Sequence, residues 1–270
     1  MAITIKTLTD YLETIAPSAL QESYDNAGLI VGNENTPIKG VLLCLDSIEA
    51  IVEEAIALNC NLIIAHHPII FQGLKRLNGK NYVERTVLKA IKHDIAIYAI
   101  HTNLDNVYYQ GVNAKIAEKL QLVDTKILSP KPTAASVGLP ESSVGSGMIG
   151  KLAAPMTERA FLQFIKDQMQ VSCIKHTQLL GKPVEKVAVC GGAGGFLLKQ
   201  AIRQGADIFI TSDYKYHEFF DADGHLVIAD IGHYESEQYT IELLHEIISQ
   251  KFSNFALYCT NLDTNPVRYF

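Results

Sequence analysis

The feature that most constrains this chain is a recurring pattern: short apolar runs with polar ends, separated by amphipathic stretches of helical length. Residues 40–45 (GVLLCL) form one such run and stop at Asp46. Residues 47–59 follow, with Ile48, Ile51, Val52, Ala55 and Ile56 on one side of a helix, and residues 61–65 form a second run that stops at His66, His67 and Pro68. Unbroken apolar runs of this length read as strands buried on both faces, as in a parallel sheet. Strand, helix, strand in that order is a βαβ unit, whose crossover is expected to be right-handed. Sites in such sheets form outside the carboxyl ends of the strands, which places Asp46 and His66 at one edge. A surface histidine pair beside a turn would have the same local sequence, so the reading depends on what else arrives there.

The pattern continues. Helical spacing of Leu8, Tyr11, Leu12 and Ile15 predicts a helix over 5–15 that Pro17 ends, and Asp25, Asn26 and Gly28 read as turn chemistry. A helix over 83–92 precedes a third buried strand over 95–100, which runs into His101, Thr102, Asn103, Leu104 and Asp105. A helix over 113–120 closes a first lobe, taken as residues 1–128. Between 129 and 150 the pattern breaks, with Pro130, Pro132, Pro140 and a Ser/Gly cluster, and this stretch is the candidate boundary between lobes. A second lobe, 129–229, repeats the logic: a strand over 147–153, a helix over 157–168 capped by Thr157, and a strand over 186–190 running into Gly191 to Gly195. A helix over 196–204 and strands over 206–211 and 226–231 follow. The C-terminal segment, 230–270, carries His233 and Glu237, a helix over 238–249 and a last strand over 255–259. It is expected to return to the site and the first lobe.

Composition narrows the function classes. A chain of 270 residues with 48% hydrophobic and 19% charged residues reads as a soluble globular protein large enough for two lobes. A net charge of -6 argues against a nucleic-acid backbone or an anionic membrane as main partner. The first ten residues show neither the charged nor the apolar segment of a secretory signal, and no apolar run is long enough to span a bilayer, so a cytoplasmic location is expected. Five widely spaced cysteines without a CxxC read mostly as small buried hydrophobes, neither zinc ligands nor a disulfide frame.

Strand ends together offer His66, His67, His101, Asp105, His233 and Glu237. Imidazoles and carboxylates suit zinc, iron, manganese and similar divalent ions. His233 and Glu237, four residues apart at a helix start, share one face; His101 and Asp105 have the same spacing in a predicted loop. Five or six ligands overfill one closed tetrahedral site and fit two ions with a bridging carboxylate, for which Glu237 is the first candidate and Asp105 the rival. The glycine run invites a phosphate-cradle reading, but it lacks the Lys-Ser/Thr of a P-loop and does not fit GxGxxG; a tight strand-to-helix turn is the alternative.

Four segments carry a resemblance: YDNAGL at 24–29, HHPIIF at 66–71, HTNLD at 101–105 and GHYESE at 232–237. In order and spacing they resemble the signature blocks of the GTP cyclohydrolase 1 type 2 family, also called NIF-three-like proteins, over nearly the whole chain. The resemblance implies two interlinked α/β lobes with a dinuclear divalent-metal site in the cleft between them, and a toroidal homohexamer with the metal sites facing an inner cavity. Carried over by motif, the metal ligands are His66, His67, Asp105, His233 and Glu237, with His101 close by. Tyr24 stands where the family usually has tryptophan and Ser212 where it has glycine, and the chain is too short for the inserted domain of longer members.

Two functional expectations follow. One is a metal-dependent hydrolase in which two ions activate water, His101 moves protons, and the substrate is a small molecule: GTP opened at its imidazole ring, or a phosphoester or amide. The other is a protein that stores, delivers or senses divalent ions, or serves as an interaction module, without turnover.

Overall fold

The computed structural model describes residues 2–132, 138 and 140–270. They form an α/β protein with a five-stranded and a six-stranded sheet. Chain contacts divide it into two units, each assembled from separate stretches: Met1–Leu104 with Thr240–Pro266, and Asp105–Tyr239 with Val267–Phe270.

The first unit opens with helix α1 (Ile5–Ile15), whose N-terminus is capped by the Thr4 hydroxyl accepting from the Thr7 amide. Strands β1 (Gly28–Val31) and β2 (Gly40–Asp46), helix α2 (Glu49–Ala57), β3 (Leu62–His67), helix α3 (Tyr82–Lys92) and β4 (Ala96–Ala99) follow. Strands β2, β3 and β4 are mutually parallel. Leu42, Cys44, Ile63, Ala65 and Ile97 project to one face and pack with Ile51, Val52 and Ala55 of α2 and Val87 and Ala90 of α3. Alternation along the strand sends Val41, Leu43 and Leu45 to the other face, where they are equally buried. Covering both faces is what permits the unbroken apolar runs, and it leaves only the strand ends to carry polar chemistry.

In the second unit come helix α4 (Thr102–Asp105), which begins in the first unit, and α5 (Val112–Lys119), β5 (Val123–Pro130) and β6 (Gly145–Thr157). After them run α6 (Glu158–Met169), β7 (Lys175–His176), β8 (Pro183–Val189), α7 (Leu198–Arg203), β9 (Ile208–Thr211), β10 (Val227–Asp230) and α8 (His233–Glu237). The sheet order is β5-β6-β8-β9-β10-β7, parallel from β8 to β10 and antiparallel elsewhere. Thr157 caps α6, accepting from the Ala160 amide as the sequence predicts. The chain then returns to the first unit with α9 (Thr240–Lys251) and β11 (Ala256–Cys259), which pairs with β2 in parallel.

Several boundaries differ from those expected. The division falls after Leu104, not after 128, because β5 pairs with β6 and α5 packs on β6 and β8 of the second sheet. Of 230–270, residues 230–239 and 267–270 belong to the second unit, and only Thr240–Pro266 rejoins the first. The proposed linker over 129–150 is paired strand at its two ends, residues 129–130 in β5 and 145–150 in β6; its residues 133–137 and 139 lie outside the described residues. Its glycines mark close strand contact: a Cβ on Gly145 would lie 2.4 Å from the Ser129 carbonyl oxygen. Residues 28–31, read as the end of a turn, form an edge strand antiparallel to β4.

Candidate metal centre

In the first unit the parallel register carries the polar residues to one sheet edge. Asp46 at the end of β2 stands opposite His67 at the end of β3. His101 follows β4 by two residues. The ring centroids of His66, His67 and His101 form a near-equilateral triangle, 4.9 Å from His66 to His67 and 5.3 Å from each to His101. Their ligand atoms lie within 4.8 Å of one another, a group that could hold a metal ion.

Each ring is held by its Nδ1. That of His66 donates to the Ile100 carbonyl at 2.8 Å, that of His67 to Asp46 Oδ1 at 2.8 Å, and that of His101 to Asp25 Oδ1 at 2.8 Å. Carbonyl and carboxylate oxygens only accept, so each Nδ1 carries a proton, and a ring held this way has its lone pair, when neutral, on Nε2. Anchoring of this kind is how metal-binding imidazoles are oriented. A tetrahedral ion with bonds of about 2.0–2.1 Å sets imidazole nitrogens about 3.3 Å apart, so small inward rotations of the rings suffice.

Asp25 is the most constrained of these anchors, with a fully buried side chain. Burial alone would raise its carboxyl, but hydrogen bonds from His101, Thr102 and Asn26 override it and bring the group down to about 2. Asp46, partly exposed, shares its other oxygen with the Thr264 hydroxyl at 2.8 Å. Phe71, half exposed, sets its ring edge-on to His101 at 5.7 Å.

In the second unit, α8 presents His233 and Glu237 one turn apart, with His233 Nε2 3.1 Å from Glu237 Oε2. Asp213 Oδ2 lies 2.6 Å from His233 Nδ1. Burial would lower the His233 pKa, yet Glu237 and Asp213 together raise it to about 11. Two carboxylates thus demand positive charge at one imidazole, and a divalent ion at Nε2 would supply it in place of the proton. The Cys190 thiol is pushed up by burial and then by the negative charges of Asp105 and Glu237, so both carboxylates act on one buried spot. Asp105 closes α4, a helical turn where the sequence suggested a loop, and its carbonyl accepts from Asn113 Nδ2 at 3.0 Å.

The glycine run is spoken for. The Gly191, Gly192 and Gly194 amides donate to Asn113 Oδ1, Ser236 Oγ and Thr211 Oγ1 at 3.0, 2.9 and 2.9 Å. A phosphate cradle needs such amides free, so the tight-turn alternative stands. Gly192 has φ +63°, and a Cβ there would meet Glu237 Oε1 at 2.4 Å: the run makes room for the Glu237 carboxylate. Cys44, Cys60 and Cys190 are buried, in line with the reading of most cysteines as buried hydrophobes, whereas Cys173 and Cys259 are exposed. Ser212 lies outside the left-handed region, so replacing the family's glycine costs no backbone strain there, and Tyr24 is exposed. Sequence reasoning did not assign Asp25, Asp46 or Asp213 a part in the site; each sits in a turn or at a strand end, the one available signal.

The chain belongs to the DUF34/NIF3 (NGG1p interacting factor 3) family, whose model matches residues 3–266. Relatives named "GTP cyclohydrolase 1 type 2 homolog" include one from Lactococcus lactis, 34% identical over 94% of this chain and 95% of its own. Another, from Clostridium perfringens, is 31% identical over 92% of each chain. Among solved structures, a hypothetical protein of Staphylococcus aureus is 28% identical and superposes with a TM-score of 0.90 over 100% of both chains. A Bacillus cereus protein related to NIF3 gives 0.89 at 28% identity, over 100% of this chain and 99% of its own. No described helix is long and apolar enough to cross a membrane.

Proposed function

We propose that this protein is a divalent-metal-dependent hydrolase with two ions per chain, held by His66, His67, Asp105, His233 and Glu237. What most supports the reading is the anchoring of His66 and His67 through Nδ1, which presents two Nε2 lone pairs beside each other at a sheet edge. Zinc, iron or manganese would each suit these donors. Such ions supply Lewis-acid polarisation of the substrate and lower the pKa of a bound water.

The chain's own residues do the rest. His66 and His67 would hold the metal through Nε2, while the carbonyl of Ile100 and the carboxylate of Asp46 keep their rings in place. Glu237, whose carboxylate offers two oxygens and which shares α8 with His233, would hold metal together with that imidazole. Asp213 orients His233. His101, held by Asp25, accepts a proton at Nε2 and returns it to the leaving group. Phe71 gives the mouth of the site an apolar wall suited to a planar ring. GTP opened at its imidazole ring is the first substrate to test, from the name shared by the relatives. Self-assembly as a toroidal homohexamer belongs to the same reading, and light scattering at micromolar concentration should give six times the chain mass.

The test is turnover by zinc- or manganese-loaded protein across a panel of GTP, phosphoesters and amides, abolished in Asp105→Ala. Release of metal to an acceptor without consumption of any substrate would point instead to a delivery protein.

A further inference from the structure

The YDNAGL turn contains none of the ligands that the family pattern supplies, yet the Asp25 side chain in it is fully buried and receives four hydrogen bonds. Its Oδ1 accepts from His101 Nδ1 at 2.8 Å and the Asn26 amide at 2.7 Å; its Oδ2 accepts from the Thr102 amide at 3.0 Å and from the Thr102 hydroxyl. Asn26 Nδ2 in turn donates to the Ile70 carbonyl at 2.6 Å, tying this turn to the segment that follows His66 and His67. Asp46, by contrast, is partly exposed. A polar turn would gain little from burying a carboxylate so completely if its only task were to reverse the chain.

We infer that Asp25 is the positioning residue of His101: it holds the imidazole in its Nδ1–H tautomer and turns Nε2 to the site. This rests on the proposed role of His101 in proton transfer. The step is balanced within the dyad. A proton leaves the attacking water for Nε2, the ring becomes an imidazolium, and Asp25 stays ionised because two amides and a hydroxyl also hold it. The proton then passes from Nε2 to the leaving group, restoring the neutral ring. An unanchored imidazole in water prefers its proton on Nε2, which would leave no acceptor facing the site; Asp25 reverses that preference.

The experiment is magic-angle-spinning 15N spectroscopy of protein labelled only at its nine histidines, with zinc and without, and with His101→Gln to assign the His101 signals. In the wild type, His101 should show a protonated Nδ1 and an Nε2 that is bare both with and without zinc. In Asp25→Ala, most of the signal should move to the Nε2–H tautomer. Asp25→Asn, which lacks an acceptor for one of the two backbone amides, should give a mixture. Thr102→Val, which loses one donor to Asp25 but keeps the carboxylate, should leave the His101 tautomer unchanged and serves as the control if Asp25→Ala is poorly folded. A His101 that stays Nδ1–H in both Asp25 variants overturns the assignment. So does a wild-type Nε2 with the signature of a metal ligand, which would make His101 a third imidazole at the ion. Loss of zinc binding by the wild type would sink the metal reading alone and leave the tautomer result standing.

Discussion

Replacing Gly192 with alanine probes how tightly the second unit is built around Glu237. Two costs are readable. The backbone at Gly192 has φ +63°, and an L residue held in the left-handed region costs about 1–2 kcal/mol. The new Cβ would also stand 2.4 Å from Glu237 Oε1 and 3.3 Å from His233 Cε1, where ordinary contact begins near 3.4 Å. The carboxylate oxygen is the movable partner, so Glu237 shifts by about 1 Å and relieves most of the clash without unfolding the protein. Gly181 is a control: it has φ +71°, and nothing lies within 4 Å of its added Cβ. Both variants should lose about 1–2 kcal/mol in urea unfolding of the metal-free protein. Only Gly192→Ala should lose metal affinity, by about 10- to 100-fold in a chelator competition, the range found when groups supporting a ligand are removed. Equal zinc affinity in the two variants would refute the argument that the glycine run exists to seat Glu237.

Two further outcomes follow from the site. Glu237→Gln should weaken both ions together, since a bridging charge is lost, whereas His233→Ala should weaken mainly one; competition titrations that show one site intact in Glu237→Gln would move the bridge to Asp105. The Asp25 carboxyl falls from 3.8 to about 2 on folding, which corresponds to about 2 kcal/mol of stability. Its folded pKa is depressed, so that contribution is present above pH 4 and is lost as pH falls toward 2. The gap in unfolding free energy between wild type and Asp25→Asn should therefore narrow between pH 5 and pH 2.5, and a constant gap would contradict the cause given for the shift.

How much of this was legible in sequence follows from where the signals lie. The apolar runs of β2, β3 and β4 and the residues that end them could be read directly, because strands buried on both faces tolerate polar groups only at their ends. Neighbouring parallel strands then bring Asp46 beside His67 without any further information. The β5–β6 pair was hidden, because the glycines that let β6 approach Ser129 at Gly145 have the composition of a linker. β1 was hidden by its brevity and by the turn residues before it. Asp25 and Asp213 read as turn formers from local sequence; their bonds to His101 and His233 span 76 and 20 residues, which no local pattern encodes.

The most direct test of the central claim is the metal content of the chain itself. Protein purified without chelator or metal resin, reconstituted with excess zinc or manganese and freed of loose ions, should hold two ions per chain by inductively coupled plasma mass spectrometry. The count should fall in Asp105→Ala and in His66→Ala. One ion or none per wild-type chain, or two ions retained in both variants, would contradict the account.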